Sequence, residues 1–390
     1  MIMYNQVMPA SNPFVYGEIV PAAAFADREL EFDRLARDLA AGQKIFLISP
    51  RRYGKSSLIR QVMRHLARRR VLTLELTVAS SSSYVGFLEA YARALLLLDT
   101  PAGRLRQWAA ELLGDLRPDT RFDAALPGAA GFALAFPAVR TDREAARLAD
   151  RVFELPARIA AAKRRTLAIA LDEFQEVAAF NGGGVEQALR AAVQQQRDVG
   201  YVFAGSEPSL MERMVGPKRP FYKAGPVMRL DRIPGEPFAA FLEARFAAGG
   251  VKPEPGLGVA IVDLAGNIPY DVQRLAHEMW DDAHAARRKT AGLDDLHATL
   301  TRLLGEQRVM FEEAWQRLTL PQRAVLRAVV IESGREMLSA DVRNRHRLST
   351  ASGVQSALAA LVRQDIVMKE RGVYTLTDSL FREWIARQTF

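Results

Sequence analysis

Residues 45–58 read IFLISPRRYGKSSL, and this stretch decides the fold class. The apolar run at its start predicts a buried strand, and the residues that follow predict a tight loop that opens a helix near Lys55. The loop fits the phosphate-binding pattern G-x-x-x-x-G-K-[ST], except that Ser49 stands where the first glycine usually lies. The residues predicted to bind the phosphates are Ser49, Pro50, Arg51, Arg52, Tyr53, Gly54, Lys55, Ser56 and Ser57.

The residue types at the end of this loop each suit the binding of phosphate or Mg²⁺. Gly54 permits a backbone turn that points N–H groups at a phosphate, and the N-terminus of the helix adds partial positive charge. Lys55 would reach the β- and γ-phosphates, and the Ser56 hydroxyl would bind Mg²⁺. A GKS sequence can also occur by accident in a basic turn. The strand before it and the helix after it favour the phosphate-binding interpretation.

A second apolar run, residues 166–171, ends in two carboxylates, Asp172 and Glu173. Such a run is typical of a parallel strand buried on both faces, and ligands bind at the carboxyl ends of these strands. Asp172 is therefore expected in the Mg²⁺ shell together with Ser56. Glu173 is expected to orient and deprotonate the attacking water. In isolation an acidic pair is equally typical of a solvated strand end, but downstream of a phosphate loop it predicts a Mg²⁺-dependent ATPase.

Strands and helices alternate through the first part of the chain, which predicts an αβα P-loop NTPase core with a parallel sheet. The strand at residues 200–206 ends in Ser206, expected at the same edge as Asp172 and within reach of the γ-phosphate or its water. A helix cap at Ser206 is the competing interpretation. Residues 118–140 interrupt the pattern and predict an inserted loop or hairpin. The segment before the phosphate loop, residues 12–35 with a helix predicted after Asp27, would either wall an adenine pocket or only pack its helix on the sheet.

The remainder of the chain is predicted to form two smaller domains. Residues 234–305 have a helical pattern that we interpret as a lid, which leaves 1–233 as the ATPase core. In residues 306–390, three helices precede two strand-like segments around Gly372, the order of a winged helix. From residue 318 onward, eleven Lys/Arg oppose seven Asp/Glu, which favours double-stranded DNA as a partner. The third helix carries little charge, however, and winged helices also bind proteins, so both partners stay open.

The bulk composition sets broad limits. The 390 residues have a formal net charge of +8, which suits a polyanionic partner, although arginine-rich proteins are often basic without one. There is no cysteine, which excludes disulfides and thiolate chemistry. We expect a cytoplasmic protein with no membrane contact, because the sequence has no signal peptide pattern and no apolar run long enough to span a bilayer.

Taken together and in order, these blocks resemble the archaeal-type ATPases of the STAND branch, relatives of AAA+ ATPases and of origin-recognition initiators. The resemblance covers nearly the whole chain. It implies an ATP-driven switch with an αβα core, a helical lid and a winged helix, and ATP and Mg²⁺ as ligands. It rests on NPFVYG, SPRRYGKSSL, ALDEFQEV, FAGSEPSLM, PFYKAGPVMRL, GNIPYDVQRLA and VYTLTDSLFREWI.

The resemblance also implies roles for individual residues. Ser206 looks like the sensor at the end of the fourth strand. This chain has Lys223 where the family tends to place an arginine. Lysine is a point charge rather than a planar fork, so the expected contact with the γ-phosphate is weaker. Arg229 is a fallback for that contact. The positions that match the family's nucleotide and metal site are Lys55, Ser56, Asp172 and Glu173.

The resulting hypothesis is an ATP-hydrolysing switch whose nucleotide state regulates engagement of double-stranded DNA through the winged helix. One alternative is a slow ATPase that signals by binding a protein partner. Another is a DNA-loaded homo-oligomer, a helper of transposition or replication, in which a basic residue of a neighbour completes each ATP site.

Overall fold

The computed structural model describes residues 11–21, 25–98, 100, 104–113, 118–122, 131–136, 139–180 and 184–388. The chain forms two compact units. The first unit is Arg28–Asp231, and the second joins the described residues of Met1–Asp27 to Arg232–Phe390.

A five-stranded parallel sheet lies at the centre of the first unit, in the order β2-β5-β6-β1-β7. A separate antiparallel hairpin, β3 and β4, lies in the predicted insertion, of which residues 123–130 and 137–138 are outside the described ranges. The strands are β1 (Lys44–Ile48), β2 (Leu72–Thr77), β3 (Asp119–Phe122), β4 (Phe132–Ala135), β5 (Leu167–Asp172), β6 (Val199–Gly205) and β7 (Val227–Arg229).

Helices cover both faces of this sheet, as the uninterrupted apolar strands predict. In β5, the side chains of Leu167, Ile169 and Leu171 join one large apolar cluster, while Ala168 and Ala170 are buried on the opposite face. The predicted αβα core with a parallel sheet is therefore confirmed. The helices are α1 (Glu29–Ala40), α2 (Lys55–Arg68), α3 (Tyr84–Leu97), α4 (Leu105–Leu113), α5 (Asp142–Lys163), α6 (Gly184–Gln195) and α7 (Pro208–Met214).

The second unit is mainly helical and ends in a winged helix. Its helices and strands are α8 (Gly235–Ala248), β8 (Lys252–Pro253), α9 (Leu257–Leu264), α10 (Pro269–Ala285), β9 (Thr290–Ala291), α11 (Leu293–Glu306), α12 (Arg308–Gln316), α13 (Leu320–Ile331), α14 (Ala340–Arg345), α15 (Ala351–Arg363), β10 (Val367–Glu370), β11 (Val373–Leu376) and α16 (Ser379–Arg387). Helices α13, α14 and α15 precede the antiparallel β10–β11 hairpin, the order that the sequence predicts.

The described N-terminal residues pack in this second unit, whereas the sequence analysis places them in the 1–233 core. Phe14 is 1% exposed, and its ring centroid lies 4.6 Å from that of Phe246 in α8. Tyr16 Oη donates to Glu278 Oε1 in α10 at 2.7 Å. Burial of the Phe14 ring explains this placement, since removing such a side chain from water contributes about 2 kcal/mol.

The lid and the winged helix share one apolar core within this unit. Two polar contacts join them: Ser379 N donates to Asp271 Oδ2 at 3.0 Å, and Arg382 Nη2 donates to Leu264 O at 2.7 Å. A domain boundary between residues 305 and 306 would therefore divide one packed core. The separation of the lid and the winged helix into two domains stays a prediction. No helix within the described ranges has the length and apolarity of a bilayer-spanning segment.

Candidate nucleotide-binding site

The loop between β1 and α2 turns at Gly54, the residue that precedes α2. Its φ is +83°, and no atom lies within 4 Å of the point where a Cβ would stand. The left-handed backbone is therefore what requires glycine, since it costs an L-residue about 1 kcal/mol or more. Ser49 is not among the described residues with positive φ, so the departure from the usual first glycine causes no strain. Its N–H donates to Gly205 O at 3.2 Å.

The residue after this turn, Lys55, points its ammonium group at the end of β5. Lys55 Nζ forms an ion pair with Asp172 Oδ1 and lies 3.5 Å from Glu173 Oε1. Ser56 Oγ donates to Asp172 Oδ2 at 2.9 Å. Strands β1 and β5 are separated by β6, a span of about 10 Å, which a lysine side chain at the start of α2 bridges. The two sequence motifs thus meet at the carboxyl edge of the sheet.

Glu173 is held by three neighbours. Ser206 Oγ donates to Glu173 Oε2 at 2.5 Å, and Gln175 Nε2 donates to the same oxygen at 2.7 Å. Partial burial of Glu173 opposes its charge. The Lys55 ammonium and the hydrogen bonds from Ser206 and Gln175 outweigh that effect and hold the pKa of Glu173 below its usual range. Glu173 also has a left-handed backbone, with φ +52°. The cluster therefore holds Glu173 as a carboxylate.

Ser206 lies where the sequence analysis expects it, at the end of β6 beside the carboxylates. Ser206 is 5% exposed, and its hydroxyl donates a hydrogen bond to Glu173. It does not cap a helix, since α7 begins at Pro208 and no side chain caps that helix. This arrangement favours the sensor interpretation over the cap. The structure also includes the other residues of the predicted phosphate loop, which are Pro50, Arg51, Arg52, Tyr53 and Ser57.

Gln175 is a site residue that the sequence analysis missed. It is 3% exposed and binds Glu173 through its Nε2, while its Oε1 has no hydrogen-bond partner within the described part of the chain. A Cβ at Gly205 would lie 2.7 Å from that oxygen, so the glycine leaves room for the amide. The available signal was the position of Gln175, two residues after Glu173 in ALDEFQEV.

Lys223 lies in the connection before β7, and its ammonium is 5.3 Å from the centre of the Tyr222 ring. Two residues later, Gly225 packs directly on the carbonyl of Lys44, the first residue of β1. The contacts given for the described residues do not join Lys223 to Lys55, Asp172 or Glu173. Its contact with the γ-phosphate therefore stays a prediction.

Arg229, the fallback, ends β7 at the carboxyl edge and pairs there with Glu212 of α7 at 2.5 Å. Both line an open cavity of about 570 Å³ together with Ile48, Tyr222 and Val227. Lys55 and the strand-end carboxylates do not line this cavity. The candidate site is therefore identified by the contacts of Lys55 with the strand-end carboxylates and not by the cavity.

The residues present fit a bound Mg²⁺. No group of three or more His, Cys, Asp or Glu residues suited to a metal occurs in the described ranges. Mg²⁺ needs no such group, because it is usually bound by one or two carboxylates, water and substrate phosphates. The Ser56 hydroxyl and the Asp172 carboxylate are oxygen ligands that already lie 2.9 Å apart. They are the residues that would hold the ion beside a nucleotide.

Comparison with known proteins agrees with this architecture. A family model described as a probable winged helix domain matches residues 309–387. A Walker-type ATPase of Pyrococcus abyssi is 16% identical, with a TM-score of 0.61 over 95% of this chain and 99% of that one. The Aeropyrum pernix ORC2 protein is 13% identical, with a TM-score of 0.56 over 96% of each chain. The Aeropyrum pernix ORC1 protein, solved in complex with DNA, is 16% identical, with a TM-score of 0.51 over 94% and 95%.

No curated protein matches the sequence. The structural likenesses establish the fold, a P-loop ATPase core followed by a C-terminal winged helix. It is the fold of archaeal Walker-type and origin-recognition ATPases, so the resemblance inferred from the sequence motifs is confirmed at the level of fold.

Proposed function

We propose that this protein binds and hydrolyses ATP, and that its nucleotide state regulates engagement of double-stranded DNA through the winged helix. The observation that carries the proposal is the meeting of the loop lysine, the strand-end carboxylates and a sensor serine at one edge of the sheet. These residues are Lys55, Ser56, Asp172, Glu173 and Ser206. The similar ORC2 protein was solved as ADPNP and ADP complexes, which supports an adenine nucleotide as the ligand.

The contacts of Lys55 suggest how binding and hydrolysis are linked. In this arrangement the single ammonium faces both Asp172 and Glu173. A bound triphosphate would compete for Lys55, and Asp172 would turn with Ser56 to Mg²⁺, which supplies charge neutralisation of the phosphates. Glu173 would then leave the ion pair with Lys55 while Ser206 and Gln175 still orient it, so that its carboxylate can act as the base for the attacking water.

The winged helix offers polar side chains to a duplex. Helix α15 begins after the cap Thr350, whose Oγ1 accepts from Gly353 N, and Ser352 and Gln355 are exposed on its first turns. Arg347 is exposed before the helix. Such residues contact phosphates and base edges. The similar ORC1 protein was solved in complex with DNA, which supports DNA as a partner of this chain.

ATP turnover with and without duplex DNA, at low and moderate salt, tests the proposal. We expect DNA to stimulate turnover, and the stimulation to fade as salt rises, because phosphate contacts release counterions. Turnover that DNA does not change at either salt concentration contradicts the coupling. Absence of turnover under all conditions contradicts the ATPase assignment itself.

The surface of α15 also supports a protein partner. Ala351 and Ala359 are exposed on the helix, and Val362 is 37% exposed, so its outer face is only weakly charged. A hydrolysis-deficient variant loaded with ATP should then capture one partner protein that the nucleotide-free form does not capture. A third arrangement is a homo-oligomer in which a basic residue such as Lys223, whose ammonium lies over the Tyr222 ring, acts on the nucleotide of a neighbouring copy. Mass measurements with and without ATP test this homo-oligomer.

A further inference from the structure

Seven cationic side chains gather at the amino edge of the parallel sheet, opposite the edge that carries the nucleotide-binding residues. They lie where α2, α5 and α6 turn into the neighbouring strands β2, β5 and β6. We call these residues the amino-edge cluster. They are Arg68, Arg69, Arg70, Lys163, Arg164, Arg165 and Arg197.

Hydrogen bonds hold the three turns side by side. The N–H groups at the start of β2 and of β5 donate to Thr166 O at 2.9 Å and to Asp198 O at 3.0 Å. Arg165 Nε donates to Arg70 O at 2.7 Å, which joins the first two turns directly. Three strands at about 4.8 Å spacing make the cluster about 10 Å wide. The charges therefore form one surface rather than three separate turns.

The partial negative charges at the helix C-termini balance only part of the positive charge of the cluster. Three helices end at this edge, and their C-termini together carry about −1.5 unit charges. Asp198 is the one carboxylate in the three turns. Against seven cations, this leaves an excess of between about four and five positive charges. An excess of this size is what a polyanionic partner would neutralise.

Five of the seven side chains of the cluster are exposed, and Lys163 and Arg165 are partly buried. Arg68, Arg69, Arg70 and Arg164 are exposed, and among the described residues Arg68, Arg69 and Arg164 make no ion pair. None of the large apolar residues that are exposed in the described chain lies in these turns. A surface without exposed apolar side chains suits a charged backbone better than a lipid bilayer, which peripheral helices enter with apolar residues.

We propose that the amino-edge cluster binds the phosphate backbone of double-stranded DNA, as a second contact in addition to the winged helix. The choice of duplex DNA as the partner rests on the proposed function, whereas the positive charge of the surface does not depend on that function. Phosphates of one strand follow each other at about 3.4 Å along the helix axis, so the width of the cluster covers about three of them. Contacts of this kind position a protein without reading sequence.

The test compares the full-length parent with a variant that combines Arg68→Gln, Arg69→Gln and Arg164→Asn. Asparagine is chosen because position 164 has φ +49°. Fluorescence anisotropy with a duplex of about 30 base pairs gives the affinity between about 50 and 200 mM salt. Loss of three phosphate contacts should lower the slope of log affinity against log salt by about 2.7. The affinity loss over that salt range should then be about 40-fold smaller than in the parent.

A matched control removes three arginines that are exposed elsewhere in the same unit, through Arg143→Gln, Arg147→Gln and Arg213→Gln. We expect this control to keep the slope of the parent, and circular dichroism verifies that both variants fold. A cluster variant with the slope of the control overturns the proposal. A cluster variant that keeps its DNA affinity but loses binding to phosphatidylserine vesicles also overturns it, in favour of an anionic membrane surface.

A third variant, with Arg347→Gln and Gln355→Ala in the winged helix, separates this inference from the proposed function. If it matches the parent while the cluster variant has a reduced slope, the winged-helix contact is refuted and the cluster is supported. If it binds weakly while the cluster variant matches the control, the cluster is refuted and the winged-helix contact is supported. A parent that binds no duplex even at low salt refutes both.

Discussion

Replacing Glu173 by glutamine removes a carboxylate while keeping the shape of the side chain. The glutamine oxygen can still accept from Ser206 and Gln175, which both donate to one oxygen of Glu173. What is lost is the negative charge 3.5 Å from Lys55 Nζ and the capacity to take a proton from water. General-base catalysis contributes about 10²–10⁴-fold in rate, or about 3–5 kcal/mol of transition-state stabilisation. We therefore expect ATP hydrolysis to fall by about that factor.

ATP binding should persist in this variant, because the substitution removes one of the two carboxylates that compete with phosphate for Lys55. Single-turnover phosphate release measures the hydrolysis step, and equilibrium titration with a fluorescent ATP analogue measures binding. Glu176→Gln is the matched control, since Glu176 lies three residues further along and contacts Glu173 only through the backbone. Parental turnover in the Glu173→Gln variant would refute the assignment of the catalytic carboxylate. Equal losses in both variants would show a structural effect instead.

Three further changes test other parts of the structure. Lys55→Ala should weaken ATP binding by at least tenfold in the same titration, since its ammonium faces both strand-end carboxylates at the predicted phosphate site; unchanged affinity contradicts this role. Gln175→Leu should lower turnover and leave ATP affinity near that of the parent, because Glu173 loses one of the donors that orient it; unchanged turnover would mean that Ser206 alone suffices. Phe14→Ala should lower the free energy of unfolding by about 3–5 kcal/mol in urea titrations, and a change below 1 kcal/mol would contradict the tight packing of this ring. The lowered pKa of Glu173 should stabilise the protein above about pH 4.5 and stop doing so as pH falls through the folded-state pKa, so the stability difference between the parent and Glu173→Gln should shrink in acid.

The sequence predicts the parts of this structure that depend on local patterns. The apolar runs before Ser49 and Asp172 have the length and composition of buried parallel strands, and their carboxyl ends necessarily lie at the same edge of the sheet. Their meeting therefore follows from topology, and the structure adds the distances. The order of helices and strands in the winged helix is likewise a local pattern that needs no knowledge of distant contacts.

The placement of Phe14 and the role of Gln175 depend on information that no local pattern carries. The contacts of Lys223 are equally hard to predict, because β7, the strand that follows it, has only three residues and carries no strong strand signal. Phe14 meets helices more than 200 positions later in the chain, and a single phenylalanine does not identify its partner. Gln175 is detectable only once Glu173 is seen to need a donor.

The unliganded cluster and the proposed ATP-bound state use the same groups in different pairs, and this explains how the site can be stable in both. One ammonium faces two carboxylates in the present arrangement, and the Ser56 hydroxyl completes the set. With nucleotide bound, Lys55 would pair with phosphates, Ser56 and Asp172 would bind the metal, and Glu173 would keep its hydrogen bonds from Ser206 and Gln175. Removing only Lys55 breaks this balance in the empty protein as well, because two neighbouring carboxylates then lose their shared cation. Loss of stability without nucleotide, in addition to loss of ATP affinity, is therefore what distinguishes Lys55 from a lysine that contacts phosphate alone.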